Sequence, residues 1–235
     1  MRMRLVLGTA VFVGAIGSAT DNAMAAEQWP TKPIRWICPY VAGGAADIFS
    51  RTIGQKLGEA FGQTIIIDNR AGANGSIGTE LAARAPADGY TILMGQSGPL
   101  ATNPAFYKKL NYDPVKDFTP VTQGTLYMYV LVVTVNNPVM NIKDMIAWVK
   151  AKPGALTYGS TGIGGGNHLA GELFNLMTQT KSIHVPYKGS ALALADLLGG
   201  QLNYMFDTPI TSVPQLKAGK LRALGVSGLK RSSSL

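Results

Sequence analysis

A single cysteine, Cys38, in 235 residues excludes a disulfide framework and any zinc site built on several thiolates. Two histidines, His168 and His184, leave little material for a histidine metal centre. Charged side chains make up only 14% of the chain and hydrophobic ones 46%, which excludes a disordered polyelectrolyte and is enough to bury a sizeable core. Glycine (28) and proline (13) are plentiful but follow no repeat, so collagen-like and low-complexity chains are also excluded. No Lys/Arg run interleaves with aromatics, which argues against a nucleic-acid surface. No Gly-x-x-x-x-Gly-Lys-Ser/Thr phosphate loop occurs, and Gly162-Ile163-Gly164-Gly165-Gly166-Asn167 misses the dinucleotide fingerprint at its last glycine. Ser97 and Ser160 lack the Gly-x-Ser-x-Gly elbow of a serine nucleophile. No cofactor and no metal are expected.

What is present begins with a leader. Arg2 and Arg4 precede a short apolar stretch at residues 5–16, and Ala23-Met24-Ala25 forms a small-x-small cleavage signal. A transmembrane helix needs about 20 apolar residues, more than this stretch offers, so a plain membrane anchor is the weaker alternative. The expectation is a secretory signal peptide over 1–25, cleaved after Ala25, and a soluble periplasmic chain. The formal net charge of +8 serves general solubility or an attraction for anions.

Beyond the leader, apolar runs and helical periods alternate. Residues 34–38 form a strand, and Phe49, Ile53, Leu57 and Ala60 recur at helical spacing. Residues 64–67 form a short buried strand, 76–84 a small-residue helix and 90–94 another strand. A Pro- and Tyr-rich stretch follows, with a short helix near 104–108. The alternation then restarts with strands at 129–135, 156–158, 183–185, 204–206 and 221–226, and helices at 142–151, 168–177, 191–198 and 213–218. This predicts an α/β fold in two halves, 26–124 and 125–235, with the boundary near Gly124.

The halves echo each other. In each, a strand runs into a glycine loop and then a helix: Ala42-Gly43-Gly44-Ala45-Ala46-Asp47 in the first and Gly159-Ser160-Thr161-Gly162-Ile163-Gly164 in the second. A helix start carries unpaired N–H groups and a partial positive charge, and glycine lets an anion approach the backbone. Two such loops across a cleft suit the two ends of a small anion; the alternative is that the glycines only make tight turns. Asp47 has two readings, a ligand or water contact and a helix cap. His168 has the alternative of a structural hydrogen bond, His184 is expected to be structural, Lys188 an exposed turn residue, and Cys38 a small buried hydrophobe. Asp207 follows a strand end, where α/β ligand clefts form.

Several segments resemble one known family, the Bug-type substrate-binding proteins of tripartite tricarboxylate transporters. They are Trp29-Pro30-Thr31-Lys32-Pro33, Gly43-Gly44-Ala45-Ala46-Asp47, Asp68-Asn69-Arg70-Ala71-Gly72-Ala73-Asn74-Gly75, Pro86-Ala87-Asp88-Gly89-Tyr90 and His184-Val185-Pro186-Tyr187-Lys188-Gly189. Ala42 and Ala71 depart from it, standing where the family usually has proline. The resemblance implies a two-lobed periplasmic binding protein-like (type II) fold, each lobe a mostly parallel sheet flanked by helices. It implies a monomer that binds a small carboxylate without catalysis and passes it to membrane permease subunits. It maps Tyr40, Gly43, Gly44, Ala45 and Asp47, then Ser160, Thr161, Gly162, Gly164 and His168, to the ligand-facing loops, with Gln96, Asn103 and Asp207 as wall residues. The alternatives are a carboxylate-binding protein that serves a sensor, and a secreted hydrolase using Ser160 and His168. In the resembled family the chain returns to complete the first lobe. Here Lys230-Arg231-Ser232-Ser233-Ser234-Leu235 follows soon after the last strand, and the expectation is a truncated first lobe with exposed apolar surface.

The leader gives the first prediction. Mass spectrometry of exported protein is expected to show an N-terminus at Ala26. Periplasmic material that retains Met1 would contradict it.

Overall fold

The computed structural model describes residues 29–232; the expected leader and its cleavage site lie outside the described residues. The first sheet has three parallel strands in the order β2-β1-β3, formed by β1 (Ile34–Cys38), β2 (Ile65–Asn69) and β3 (Thr91–Leu93). β1 is central and buries Ile34, Trp36, Ile37 and Cys38, as a strand covered on both faces must. Helix α1 (Ala45–Phe61) links β1 to β2 and stops at Gly62, whose φ of +64° ends the helix in the left-handed region. Helix α2 (Ser76–Ala83) links β2 to β3.

The helical spacing of Phe49, Ile53, Leu57 and Ala60 is met by α1, although these four are not its most buried face. Ala46, Asp47, Ser50 and Gly54 are buried, Phe49 and Leu57 pack at the margin, and Ile53 and Ala60 are exposed. Small residues win because the helix lies close on the sheet: a Cβ on Gly54 would stand 3.2 Å from the Ile67 side chain. Residues 64–67 are not a buried strand either. β2 is an edge strand whose pleat turns Ile65 and Ile67 toward α1 and leaves Ile66 51% exposed.

Residues 94–129 connect the sheets. The expected short helix is a single turn, α3 (Asn103–Phe106), and it follows a wide π-type turn at Gly98–Thr102. The second sheet has the order β6-β5-β7-β4-β8. Its strands are β4 (Val130–Thr134), β5 (Thr157–Ser160), β6 (Ile183–Pro186), β7 (Tyr204–Asp207) and β8 (Leu221–Val226). β5 pairs in parallel with β6 and β7, and β4 runs antiparallel to β7 and β8. The helices are α4 (Ile142–Ala151), α5 (Gly166–Thr178), α6 (Ser190–Leu198) and α7 (Pro209–Lys217). Asn141 caps α4 by accepting the Asp144 N–H at 3.0 Å.

The pleat of β4 divides the second core. Leu131 and Val133 face Met145, Val149, Tyr158 and Tyr204 on one side. Val130 and Val132 face Leu194, Leu197 and Met205 on the other. All of these lie in the interior, so this sheet is a two-sided α/β layer. Among the described residues no helix is long and apolar enough to cross a membrane. The parallel strands β1, β5, β6 and β7 each lead from their C-terminal end into the start of a helix: α1, α5, α6 and α7.

Burial sets the second prediction. Leu131→Ala should lower unfolding free energy by about 2–5 kcal/mol in urea titration, because Leu131 is 1% exposed. Ile66→Ala on the open edge should cost under about 1 kcal/mol. Similar losses from both would contradict this assignment of the cores.

Candidate functional site

Four helix starts meet at one cavity between the sheets, about 370 Å³ in volume. Gly44, Ala45 and Ala46 bring the start of α1, Gly166 and Asn167 that of α5, Ser190 that of α6, and Thr208, Pro209 and Ile210 that of α7. Gln96, Ser97 and Gly98 close one side, and Thr161 and the segment 125–129 close another. First-turn N–H groups have no partner inside their own helix, and the aligned peptide dipoles place about half a positive charge at each start. Among the described residues that line the cavity, none carries a charge.

The lobes are joined around this cavity. Ala45 N–H donates to Ser190 Oγ at 3.1 Å, and Val41 N–H donates to the Lys188 carbonyl at 3.3 Å. On the far side, Thr102 Oγ1 donates to the Gly164 carbonyl at 2.6 Å. Gly162, at φ +130°, lies so close to Asn74 that a Cβ would stand 3.3 Å from the Asn74 Cα. Asn74 is fixed in turn by donating to Asn103 Oδ1 at 2.9 Å.

The first loop is held from behind. Gly43, at φ +76°, donates its N–H to Asp47 Oδ2 at 2.9 Å, and Arg51 Nε donates to the same oxygen at 3.0 Å. Burial pushes the Asp47 carboxyl up, but the Arg51 and Gly43 bonds outweigh it and hold the group below the usual range. Asp47 is therefore an anion that braces the loop.

The second loop spends its N–H groups on itself. Gly162 N–H donates to Ser160 Oγ at 3.0 Å, Gly164 N–H to His168 Nδ1 at 3.1 Å, and Thr161 N–H to Asn167 Oδ1 at 3.1 Å. Ser160 Oγ lies 2.5 Å from His184 Nε2, and the His168 and His184 rings meet tilted at 37° with centroids 4.1 Å apart. Burial lowers the pKa of both imidazoles, that of His184 to about 4, so the pair is neutral at pH 7. Ser160 thus pairs with His184 rather than His168. It is fully buried and off the cavity wall, which is no geometry for a nucleophile.

Of the expected site residues, Tyr40, Gly44, Ala45, Gln96 and Thr161 line the cavity. Gly43 and Asp47 stand behind the first loop, and Ser160, Gly162, Gly164 and His168 frame the second. Asn103 bonds to Asn74 within the first lobe and faces Gly164 of the second, where a Cβ would stand 3.4 Å from Asn103 Oδ1. Asp207, fully buried, ends β7 with Oδ2 accepting from Thr211 Oγ1 at 2.8 Å. Thr211 Oγ1 in turn lies 2.8 Å from the Oγ1 of Thr208, which lines the cavity. Ser97, Asn167, Ser190, Thr208 and residues 125–129 were missed. Two signals pointed to part of this set: Gly189-Ser190 opens a third strand–loop–helix unit, and Thr208-Pro209 is a cap followed by a first-position proline.

Two α/β lobes with helix starts from both facing one shared cavity define a solute-binding protein of the periplasmic type. Residues 49–235 match the tripartite tricarboxylate transporter family receptor, and the chain belongs to that family. A protein of Pseudomonas sp. strain P51, named for the tcbD–tcbE intergenic region, is 36% identical over 234 residues, which span 100% of this chain and 68% of that protein. A structure described as a periplasmic transporter is 42% identical, with a TM-score of 0.83 over 87% of this chain and 69% of that one. Rpa4515 of R. palustris, solved with adipate, is 40% identical with a TM-score of 0.84, over 86% of this chain and 68% of that one.

Asp207 gives the third prediction. Loss of hydration raises its pKa to about 7, and the Thr211 hydrogen bond offsets only part of that. An ordinary carboxyl titrates near ~3.9 when unfolded. The folded state therefore holds the proton more tightly, and this group's stabilisation is full below about pH 4 and lost as pH rises through 7. Asp207→Asn should gain on the native protein between pH 5 and pH 8, by an amount on the order of a few kcal/mol. Parallel pH profiles of unfolding for the two proteins would contradict this.

Proposed function

We propose that this chain is the extracytoplasmic binding component of a tripartite carboxylate uptake system. It takes a small carboxylate between its lobes, leaves it chemically unchanged, and delivers it to membrane permease subunits as a monomer. The observation that carries this reading is the convergence of the four helix starts on a cavity that, among the described residues, no charged side chain lines. Each helix start contributes about 0.3–1 kcal/mol toward an anion, and more where water is excluded. The adipate in the similar R. palustris protein supports the choice of a carboxylate. Ser160 and His168, the pair a hydrolase would need, stand behind the second loop, which supports binding without turnover. The lobes are taken as residues 26–124 and 125–235. Tyr40, Gly44, Ala45, Gln96 and Thr161 are taken as contacts, and Gly43, Asp47, Asn103, Ser160, Gly162, Gly164, His168 and Asp207 as the frame behind them.

Thermal unfolding with added organic acids tests this. A ligand of the native state alone raises stability by about 2.7 kcal/mol at one hundred times its Kd. The melting temperature should rise with adipate or a related acid, and the acid should be recovered intact. No shift with any mono-, di- or tricarboxylate, or consumption of the acid, would contradict the reading. Gly43→Pro should weaken binding at least about tenfold, or ~1.4 kcal/mol, because proline cannot adopt φ +76° and removes the N–H bonded to Asp47. Full affinity in a folded Gly43→Pro protein would remove the first loop from the site.

A further inference from the structure

Asp207 ends β7 directly before the start of α7, and it is fully buried. Its Oδ1 has no hydrogen-bond partner among the described residues. Its Oδ2 lies 2.8 Å from Thr211 Oγ1, which in turn lies 2.8 Å from the Oγ1 of Thr208. Thr208 lines the cavity, so three groups in series join a buried carboxyl to the ligand space. The Thr208 carbonyl is a poor diversion for the Thr211 proton. It already accepts from Ser212 N–H at 3.0 Å and Ser212 Oγ at 2.9 Å, and it lies farther from Thr211 Oγ1, at 3.1 Å.

A hydroxyl has one proton, so the direction of such a series is set at its end. When Asp207 is ionised, Thr211 donates to Oδ2, the Thr208 hydroxyl donates to Thr211, and Thr208 turns a lone pair to the cavity. When Asp207 is neutral with its proton on Oδ2, it donates to Thr211, and Thr211 donates to Thr208 Oγ1. Thr208 then has its own proton free for the cavity. The first state opposes an anion there, and the second receives one. Charge acts in the same sense. An ionised Asp207 stands at the start of α7 and uses the partial positive charge that a bound anion would use, and two anions in the interior repel strongly.

The surroundings leave both states open. Burial pushes the Asp207 carboxyl up to about 7, against the Thr211 hydroxyl and the nearby Thr208 N–H. Tyr129, ahead of β4, feels the Asp207 charge, and burial pushes that phenol up so that it stays neutral. The other titratable groups on neighbouring elements are engaged elsewhere. Tyr158 on β5 bonds to Glu172 on α5, Tyr204 on β7 to Ser182, and Asp196 on α6 to Tyr187. His168 and His184 pair with each other, Arg222 on β8 bonds to backbone carbonyls, and Lys217 is in the last turn of α7.

We propose that Asp207 positions the Thr208 hydroxyl as a donor to the ligand, and that binding of a carboxylate takes up one proton at Asp207. This rests on the carboxylate-binding reading above and deepens it: the site takes an anion and a proton together. No bond to the ligand forms; a proton passes from solvent to Oδ2 and two hydroxyls rotate. A bound anion raises the affinity of Asp207 for its proton. Anion affinity is therefore greatest with Asp207 protonated and falls as pH rises through the carboxyl's value in the free protein, by at most about tenfold per pH unit.

Calorimetric titration of the full chain with adipate, succinate and benzoate, in buffers of different ionisation enthalpy, tests it between pH 6.5 and pH 9. Carboxylic acids titrate at ~4, so the ligands stay ionised throughout. Each acid that binds should bind at least about fivefold more weakly at pH 9 than at pH 6.5, with net proton uptake near pH 8. Asp207→Asn, whose amide donates without titrating, should bind equally at both pH values and take up no proton. Binding by the parent chain with flat affinity and no proton uptake would overturn this proposal and leave the carboxylate reading standing. So would an unchanged pH response in folded Asp207→Asn. No binding of any of the three acids at any pH would overturn both.

Discussion

The hydrogen bond from Ala45 N–H to Ser190 Oγ spans the two lobes, and the geometry of the cavity depends on it. It sets the first turn of α1 against the first turn of α6, with the Val41–Lys188 bond beside it as a second tie. The starts of α5 and α7 belong to the same sheet as α6 and come to the same space. Four positive dipole ends then share a small volume whose lining, among the described residues, includes no acidic side chain, Asp47 in the first turn of α1 standing behind it. That is an unfavourable arrangement for an empty protein and a favourable one for an anion, since a single ligand charge interacts with all four ends at once.

The rest of the fold holds these ends in place. Asp47 binds back to Gly43 and is itself held by Arg51, so the first loop is braced from outside the cavity. The second loop folds on Ser160, Asn167 and the paired histidines, with its N–H groups turned inward. The histidines suit this task because burial keeps them neutral, so they can accept hydrogen bonds without adding charge near the site. Asn74 and Asn103 connect the first lobe to the second loop. These supports are hydrogen-bonded polar groups behind the cavity wall, and such groups hold a site in one geometry before the ligand arrives.

Most elements were legible because their pattern was local. The helix at 142–151 and the strand at 221–226 appear with the bounds their periodicity indicates. The orientation of α1 was not legible, because Gly54 buries itself through close approach to β2, which periodicity in apolar residues does not register. The exposure of Ile66 depends on β2 being an edge strand, a property of strand order. At the site, the glycine loops were visible as loops, but their roles were not. Glycine spacing marks a turn; it does not show that Gly162 would rest on Asn74 while Gly44 would line the cavity. Ser190 and Asn167 escaped notice because their importance comes from partners 145 and 6 residues away, Ala45 and Thr161.

The central claim is that one anion is held by helix starts from both lobes together. Backbone amide chemical shifts recorded during titration with an organic acid test it most directly. The account predicts that the amides of Ala46, Gly166, Ser190 and Ile210 shift in concert, with one common Kd across the two lobes. Shifts confined to one lobe, or centred on charged surface residues away from these four helix starts, would contradict it.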